Sequence, residues 1–215
     1  MRVRKKKNCD TRLEKSGRLW IREPERLKAR WHEEFGNDNP IHIEIGCGKG
    51  QFICEMARKY PEISFVAVEV VKDVMVIAME KAEPLGLSNL RFIIGDAAKL
   101  SDYFEKGEAE RIYLNFSDPW KKKKQAKRRL THKNFLDVYK RVLNNGDMIC
   151  FKTDNQKLFE FSLNSFAADN YKMSEITFDL HNSGIEDNVM TEYETRFAEA
   201  GMPIYRVCAA YYGWE

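Results

Sequence analysis

Hydrophobic residues recur along the chain in short blocks, and between the blocks they return every three or four positions. Short blocks rich in β-branched residues are typical of buried strands, and periodic stretches are typical of amphipathic helices. Seven blocks predict strands, at residues 41–45, 63–70, 90–94, 111–116, 147–152, 172–179 and 204–212. Periodic stretches predict one helix ending near residue 59 and others over residues 72–85, 131–143 and 156–169, with a further amphipathic stretch at residues 24–35.

The order of these elements predicts the fold class. Strands alternating with helices favour a mostly parallel sheet that is covered on both faces. Asn-Asn-Gly at residues 144–146 predicts a helix stop and a turn ahead of the fifth strand. No helix is predicted between the last two strands, so we expect them to pair as an antiparallel edge. The pattern therefore predicts an α/β fold with a mostly parallel seven-stranded sheet in residues 36–215, preceded by a basic arm and helix in residues 1–35.

Length and composition exclude several classes of protein. With 215 residues and 43% hydrophobic content, the chain can fold as one domain without metal or disulfides. The longest apolar run, residues 74–79, is far shorter than the roughly 18 residues of a membrane span, and the N-terminus lacks the apolar core of a signal peptide. The five cysteines are scattered without a Cys-x-x-Cys pair. We therefore expect a cytoplasmic protein with no membrane association and no metal site.

Positive charge is concentrated in two segments of the chain. Residues 1–30 carry a net charge of +8 and residues 121–141 a net charge of +9, which leaves −14 for the rest of a chain whose total is +3. Because each phosphate neutralised by Lys or Arg releases counterions, two basic segments on an acidic body favour a nucleic acid as partner. The alternative is that both are solvated charge runs.

A glycine-rich turn follows the first predicted strand. Gly46, Gly48 and Gly50 allow the backbone to turn tightly and to approach a ligand. Gln51 stands where a dinucleotide-binding turn has its third glycine, which weakens the case for a pyrophosphate site. Glu44, just before the turn, would repel a pyrophosphate but attract the ammonium group of S-adenosylmethionine. Alternatively, Glu44 occupies the polar face of an alternating strand.

Two further acids end the second and third predicted strands, where ligands bind in parallel sheets. Glu69 lies 19 positions after Gly50, a spacing typical of an acid that binds ribose hydroxyls. Asp96 stands where a carboxylate can accept a hydrogen bond from an adenine amino group, or can cap the next helix. With Glu44, these acids favour S-adenosylmethionine over NAD as the cofactor. An NAD-linked oxidoreductase is disfavoured by both Glu44 and Gln51.

The fourth predicted strand runs into Ser-Asp-Pro-Trp at residues 117–120 and then into the Lys/Arg-rich residues 121–129. Together with the glycine-rich turn, Lys-Thr-Asp at residues 152–154 and Thr-Glu-Tyr-Glu-Thr-Arg-Phe at residues 191–197, these motifs resemble the bacterial tRNA (guanine-N7-)-methyltransferases over nearly the whole chain. The resemblance implies a Rossmann-like class I S-adenosylmethionine-dependent methyltransferase fold. It also implies transfer of a methyl group from S-adenosylmethionine to N7 of a guanosine in the tRNA variable loop.

Roles for individual residues come from the resemblance, the glycine-rich turn and the basic loop together. The expected cofactor-binding residues are Glu44, Gly46, Gly48, Gly50, Glu69, Asp96 and Asp118. The expected tRNA-binding residues are Lys122, Lys123, Lys124, Lys127, Arg128, Arg129, Asp154, Thr191 and Glu194. Asp118 is also the expected catalytic residue.

The chemistry of guanine N7 explains why no catalytic histidine is needed. N7 carries a free lone pair, so no proton has to be removed before it attacks the methyl group, and catalysis rests on positioning. A carboxylate such as Asp118 favours the movement of positive charge from sulfur onto the purine. Asp154 or Glu194 is expected to accept hydrogen bonds from the guanine N1 and amino groups.

Two other functions fit part of this pattern. Asp118-Pro119 also resembles the motif of enzymes that methylate the adenine N6 amino group, but the second proline of that motif is missing. A non-catalytic RNA-binding protein would be expected to have lost the glycine-rich turn or residues 117–120, and both are intact. Residues 191–197 would otherwise be an exposed polar strand or the start of a helix. Nothing in the sequence requires a protein partner.

Overall fold

The structure, a computed structural model, describes residues 8–213, so residues 2–7 of the predicted basic arm lie outside the described residues. The strands are β1 Trp20–Ile21, β2 Ile41–Ile45, β3 Ser64–Glu69, β4 Leu90–Ile94, β5 Ala109–Asn115, β6 Leu143–Thr153, β7 Tyr171–Thr177 and β8 Tyr205–Tyr211. The α-helices are α1 Cys9–Lys15, α2 Trp31–Phe35, α3 Gln51–Lys59, α4 Lys72–Ala82, α5 Leu100–Tyr103, α6 Lys133–Tyr139, α7 Gln156–Ala168 and α8 Glu192–Glu199. None of the helices in this part of the chain is long and apolar enough to cross a membrane.

The strands form one mixed sheet in the order β1-β4-β3-β2-β5-β6-β8-β7. All pairs from β1 to β6 are parallel, and β8 is antiparallel to both β6 and β7. The predicted parallel sheet with an antiparallel edge is confirmed, but the prediction of seven strands is wrong. The additional strand is β1, whose two residues pair with Phe92 and Ile93. Two residues are too few to produce a recognisable hydrophobic period.

The sheet order changes direction at β2, which lies between β3 and β5. The chain first builds the sheet outward through β3 and β4 and then continues on the other side of β2 with β5 and β6. A crevice opens beyond the carboxyl ends of the strands at such a point, and it is the usual ligand site of this architecture. The residues after β2 and β5 are therefore the ones that the fold places at a binding site.

Burial on both faces of β2 determines where Glu44 points. All five residues of β2 are buried, as expected for a central parallel strand. Ile41, Ile43 and Ile45 face the larger hydrophobic cluster, which also contains Trp31. Because side chains alternate along a strand, Glu44 faces the other layer, where α3 packs.

Three local predictions differ from the structure. The amphipathic stretch predicted at residues 24–35 is divided into a 3₁₀ helix, Pro24–Leu27, and α2, with Ala29 at a φ of +63° between them. Residues 144–146 belong to β6 itself, where the pairing with β5 shifts register between Ala109 and Arg111, and α6 ends at Tyr139. Gly146 has a φ of +93°, so the asparagine-glycine signal marks an irregularity inside a strand. The chain between β7 and β8 also contains α8, where no helix is predicted.

Candidate active site

The glycine-rich turn after β2 adopts a backbone that other residues enter only with strain. Gly46, Gly48 and Gly50 have φ values of +77°, +55° and +77°. A Cβ on Gly50 would lie 2.8 Å from the Cβ of Ala78, so this glycine lets α3 approach α4. A Cβ on Gly46 or Gly48 would meet no heavy atom within 4 Å. The first half of the turn therefore presents bare backbone to open space.

A cavity of about 280 Å³ lies beside this turn. Its lining comes from β2, the turn, α3, the end of β5 and the start of α8, as Glu44, Gly46, Cys47, Gly48, Lys49, Gln51, Phe52, Asn115, Phe116, Thr191, Glu192, Tyr193 and Arg196. The crevice predicted from the strand order is thus closed on one side by α8. The structure brings residues 44–51 and 191–196 together, although they are far apart in the sequence.

Glu44 is the buried acid of this cavity, with 1% of its surface exposed. Its Oε1 accepts a hydrogen bond from Asn115 Nδ2 at 2.9 Å, whereas Oε2 is buried and has no partner among the described residues. Burial raises the pKa of Glu44 to about 7, although the hydrogen bond from Asn115 acts in the opposite direction. A buried carboxylate oxygen without a partner is a site for a donor supplied by a ligand.

Glu69 and Asp96 both bind backbone N–H groups at their strand ends. Glu69 Oε2 accepts from the Gly48 N–H at 3.2 Å, and Oε1 accepts from the Val71 N–H at 2.9 Å. Glu69 thereby connects the end of β3 to the glycine-rich turn. Asp96 is exposed and caps the following short helix through the Ala98 N–H at 2.9 Å. Capping, the alternative that the sequence leaves open for Asp96, is present, and its role in adenine binding stays a prediction.

The segment after β5 holds Asp118 in an unusual backbone conformation. Phe116 and Trp120, on either side of Asp118, have φ values of +51° and +41°. Asp118 is exposed, with no hydrogen bond or ion pair to any residue that the structure describes, and the Ser117 hydroxyl is buried without a partner there. The Asp118 carboxylate is therefore available to ligands.

Arg129 holds this segment in place. Its Nε and Nη2 donate to the backbone oxygens of Pro119 at 3.0 Å and Trp120 at 3.2 Å, and its guanidinium lies 4.3 Å from the centre of the Phe161 ring. The neighbouring Arg128 lies 4.9 Å from the centre of the Trp120 ring. Arg129, predicted from the sequence to bind tRNA, is engaged here by the protein itself.

The other basic residues of the loop face solvent. A 3₁₀ helix spans Lys123–Arg128, and the exposed side chains are Lys121, Lys122, Lys123, Lys124, Lys127 and Arg128. No acidic side chain within residues 8–213 forms an ion pair with any of them. The loop therefore carries a dense positive charge next to the segment that contains Asp118.

Glu194 lies inside the protein and is fully buried. Its Oε2 binds Lys152 Nζ at 2.7 Å, and its Oε1 accepts from Asn188 Nδ2 at 2.7 Å. Burial lowers the pKa of Lys152, while the charge of Glu194 acts to raise it. In this conformation Glu194 fixes α8 to β6, and its predicted contact with tRNA stays a prediction.

Thr191 and Asp154 lie on either side of the first turn of α8. Thr191 caps the helix, with its Oγ1 accepting from the Glu194 N–H at 2.9 Å. Asp154 is half-buried after β6, and the pKa of Tyr193 is raised first by burial and then by the charge of Asp154. The Tyr193 ring lies 5.2 Å from Phe116 and 4.5 Å from Phe197. Residues 191–197 are thus a capped helix start, one of the two alternatives that the sequence leaves open for this segment.

Several residues of this site receive no role from the sequence. Asn115 and Lys152 are buried polar residues at strand ends, and that position is the signal that could have identified them. Lys49 and Lys81 bind Glu192 at 3.2 and 2.5 Å, which connects α8 to the glycine-rich turn and to α4. These pairs join residues more than 100 positions apart, so only the folded chain reveals them.

Known proteins are similar to this chain in sequence over almost its whole length. Residues 38–207 match a family described as putative methyltransferase. A tRNA (guanine-N(7)-)-methyltransferase of Listeria monocytogenes serovar 1/2a is 51% identical over 211 residues, covering 98% of this chain and 99% of that protein. The enzyme of the same name from Streptococcus pneumoniae (strain 70585) is 47% identical, covering 98% and 100%.

A likeness in fold alone extends further. The solved structure of the 16S rRNA methyltransferase KamB has a TM-score of 0.64 at 15% identity, covering 86% of this chain and 94% of that one. The solved structure of an antibiotic-related methyltransferase has a TM-score of 0.62 at 18% identity, covering 86% and 94%. The predicted class I methyltransferase fold is confirmed by these neighbours. By its sequence along almost its whole length, the chain belongs to the tRNA (guanine-N(7)-)-methyltransferase family.

Proposed function

We propose that this protein transfers a methyl group from S-adenosylmethionine to N7 of a guanosine in the variable loop of tRNA. The observation that carries the proposal is the buried Oε2 of Glu44, which has no hydrogen-bond partner within residues 8–213, at a cavity beside the open glycine-rich turn. Asp118 and the exposed basic loop follow the neighbouring strand β5. A cofactor pocket and a polyanion-binding surface therefore lie at the same end of the sheet.

The donor set of the cavity fits the amino-acid end of S-adenosylmethionine. Glu44 Oε2 provides a buried acceptor for an ammonium group, and the backbone of Gly46 and Gly48 is open to close approach. Glu69 is held by the Gly48 N–H with acceptor capacity left for ribose hydroxyls. Asp96 caps the following helix through Oδ1, so its other carboxylate oxygen can accept a hydrogen bond from the adenine amino group.

Methyl transfer to N7 makes modest demands on the residues of this site. When bound, S-adenosylmethionine supplies a methyl group on a positively charged sulfur. The N7 lone pair forms the new bond to carbon as the carbon–sulfur bond breaks, and no proton changes place. Asp118, exposed beside the strained Phe116, orients the base and stabilises positive charge as it develops there. Positioning of N7 is thus the main contribution of the protein.

Recognition of tRNA divides between the basic loop and residues near α8. Lys122, Lys123, Lys124, Lys127 and Arg128 contact phosphates, because they are exposed and without acidic partners among the described residues. Since Glu194 is buried in its ion pair, we place recognition of the guanine edge on Asp154. We place the enzyme in the cytoplasm, acting on tRNA without a further protein subunit.

Mass spectrometry of nucleosides tests the proposal directly. An unmodified tRNA transcript is incubated with the protein and S-adenosylmethionine, digested and analysed. We expect 7-methylguanosine, and we expect none from a matched transcript that carries 7-deazaguanosine at the variable-loop position, because that base lacks the nucleophilic nitrogen. The appearance of N6-methyladenosine instead, or no methylation by folded protein, would contradict the proposal.

A further inference from the structure

Charged side chains lining the cavity differ in whether they have an ionic partner. Four of the described lining residues are charged, namely Glu44, Lys49, Glu192 and Arg196. Glu192 is neutralised by Lys49 at 3.2 Å and by Lys81 at 2.5 Å. Neither Glu44 nor Arg196 forms an ion pair with any residue between 8 and 213. The cavity therefore presents one carboxyl group and one guanidinium group that have no ionic partner among the described residues.

The first turn of α8 adds free hydrogen-bond donors to the cationic side. Thr191, Glu192 and Tyr193 line the cavity, and α8 is eight residues long. The first N–H groups of a helix have no carbonyl partner within it, and of those near this end the Glu194 N–H is already taken by Thr191 Oγ1 at 2.9 Å. Arg196 lies four residues after Glu192, which places it on the same side of the helix. The N-terminal end of a helix and a guanidinium both attract anions.

The position of Glu44 independently favours a zwitterion as the ligand of this cavity. Its Oε2 is buried and has no hydrogen-bond partner in the described part of the chain, and Glu44 lines the same cavity as the start of α8. A ligand that satisfies both sides carries an ammonium group for Glu44 and a carboxylate for α8. The methionine end of S-adenosylmethionine has these two groups on one carbon atom.

We infer that Arg196 and the first turn of α8 bind the carboxylate of S-adenosylmethionine, while Glu44 binds its ammonium group. The inference rests on the proposed function, because it takes S-adenosylmethionine as the ligand. It assigns Arg196 a role that the sequence does not suggest, and it gives the backbone of residues 191–193 a partner in the cofactor. The ion pairs of Glu192 keep its own carboxylate from competing for Arg196.

Decarboxylated S-adenosylmethionine isolates the group in question, since it lacks only the carboxylate. Calorimetry is used to measure binding of both compounds to the full-length protein and to Arg196→Met, which removes the charge and keeps the apolar stem. We expect the variant to bind S-adenosylmethionine about tenfold more weakly and the decarboxylated compound nearly as well as the parent protein does. Arg141→Met, an equal change of charge at an exposed residue outside the cavity lining, is expected to change neither affinity.

The outcomes separate this inference from the proposed function. If the parent protein binds S-adenosylmethionine and methylates tRNA, but Arg196→Met keeps the parent preference between the two compounds, the inference is overturned and the proposed function stands. Weaker tRNA binding by Arg196→Met with both cofactor affinities unchanged would likewise overturn it, by assigning Arg196 to RNA. Failure of the parent protein to methylate tRNA contradicts the proposed function, whatever Arg196 does. Partial recovery of the preference in Arg196→Lys would support the inference.

Discussion

Folding and the proposed binding of the cofactor's ammonium group make opposite demands on Glu44. Burial without a full set of hydrogen bonds raises its pKa to about 7, so the folded protein holds a proton on Glu44 that the unfolded chain releases near pH 4.5. Stability from this group is therefore lost as the pH rises from about 4.5 to about 7. Binding of an ammonium group, in contrast, requires the ionised carboxylate.

The substitution Glu44→Gln separates these demands. The amide side chain keeps an oxygen for Asn115 but never ionises, so the variant is expected to be more stable than the parent protein at pH 8, by at most about 3 kcal/mol, and equally stable at pH 4.5. S-adenosylmethionine binding is expected to weaken markedly. Guanidinium denaturation at both pH values measures the change in stability, and calorimetry at pH 8 measures the affinity for S-adenosylmethionine. A stability difference that does not change with pH would show that Glu44 ionises normally.

A substitution at Asp118 can distinguish catalysis by positioning and charge from catalysis by a general base. Asp118→Asn keeps the shape and hydrogen-bonding capacity of the side chain but removes its charge. We expect the single-turnover methyl-transfer rate to fall by about 10- to 100-fold, with tRNA affinity nearly unchanged, because the lost interaction strengthens as charge moves onto the base.

A pH profile of the parent protein complements the Asp118 measurement. At saturating cofactor and tRNA we expect no rising limb near neutral pH from a general base. If a folded Asp118→Asn variant transferred the methyl group at the rate of the parent protein, Asp118 would have no catalytic role.

Single residues were predictable from sequence where a strand end fixes their position. Glu44 and Glu69 lie near the ends of β2 and β3, and the glycines follow β2, so their place at the carboxyl end of the sheet could be inferred from the hydrophobic pattern. The burial of Glu194 could not be predicted, because it depends on Lys152 in a strand that pairs only in the folded sheet. Arg129 could not be distinguished from its lysine neighbours in the sequence, because its hydrogen bond to the Pro119 backbone oxygen forms only in the folded chain.

At the scale of elements, the basic loop divides into residues that face solvent and one residue, Arg129, that fixes the loop. Replacing Lys123, Lys124 and Lys127 together by glutamine should reduce the slope of log affinity against log salt by roughly two to three units, if all three contact phosphates. Binding of tRNA at several salt concentrations measures this. A slope equal to that of the parent protein would show that the loop is only a solvated charge run.

Arg129→Lys provides the contrast within the same loop. The variant keeps the charge but loses the paired donors to Pro119 and Trp120, so the segment around Asp118 is held less firmly. We expect a lower methyl-transfer rate with an unchanged salt slope. A changed slope with a normal rate would mean that Arg129 contacts phosphate and does not position Asp118.

Elements were predicted well where they are long and regular, and poorly elsewhere. β3 and β6 each contain four consecutive apolar residues, and β2 alternates isoleucine with polar residues, so these strands give a clear signal. β1 has two residues, and its identity as a strand comes entirely from pairing with β4. α8 is short and polar, and its stability comes from the Thr191 cap and the buried Glu194, which no local period reveals.

At the scale of the whole molecule, the described part of residues 1–35 packs against the sheet domain. Trp31 is fully buried, stacks on Phe104 at 4.9 Å and donates through Nε1 to the Tyr103 backbone oxygen at 2.9 Å. Arg12 binds Glu80 of α4 at 2.6 Å. The division of the chain at residue 35 stays a prediction, and the stability of shortened chains tests it.

We expect a chain that begins at residue 36 to be much less stable than the parent protein, because it lacks β1 and Trp31. Trp31→Ala in the full chain should reduce the free energy of unfolding by about 3–5 kcal/mol. Trp31→Phe, which keeps an aromatic ring, should lose less. Removal of residues 1–7 alone serves as the control. It should weaken tRNA binding but change the free energy of unfolding little. Guanidinium denaturation curves that coincide for the parent and the chain beginning at residue 36 would establish residues 36–215 as an independent domain.

The left-handed backbone at Phe116 and Trp120 has a consequence for laboratory evolution of this enzyme. A bulky residue in this region costs roughly 1–2 kcal/mol relative to glycine, so glycine or asparagine at either position would relieve strain. The same replacements would remove the ring beside Tyr193 or the ring beneath Arg128. Libraries selected only for survival at high temperature should therefore accumulate glycine and asparagine on both sides of Asp118, and those heat-resistant descendants should be slower catalysts than their ancestor.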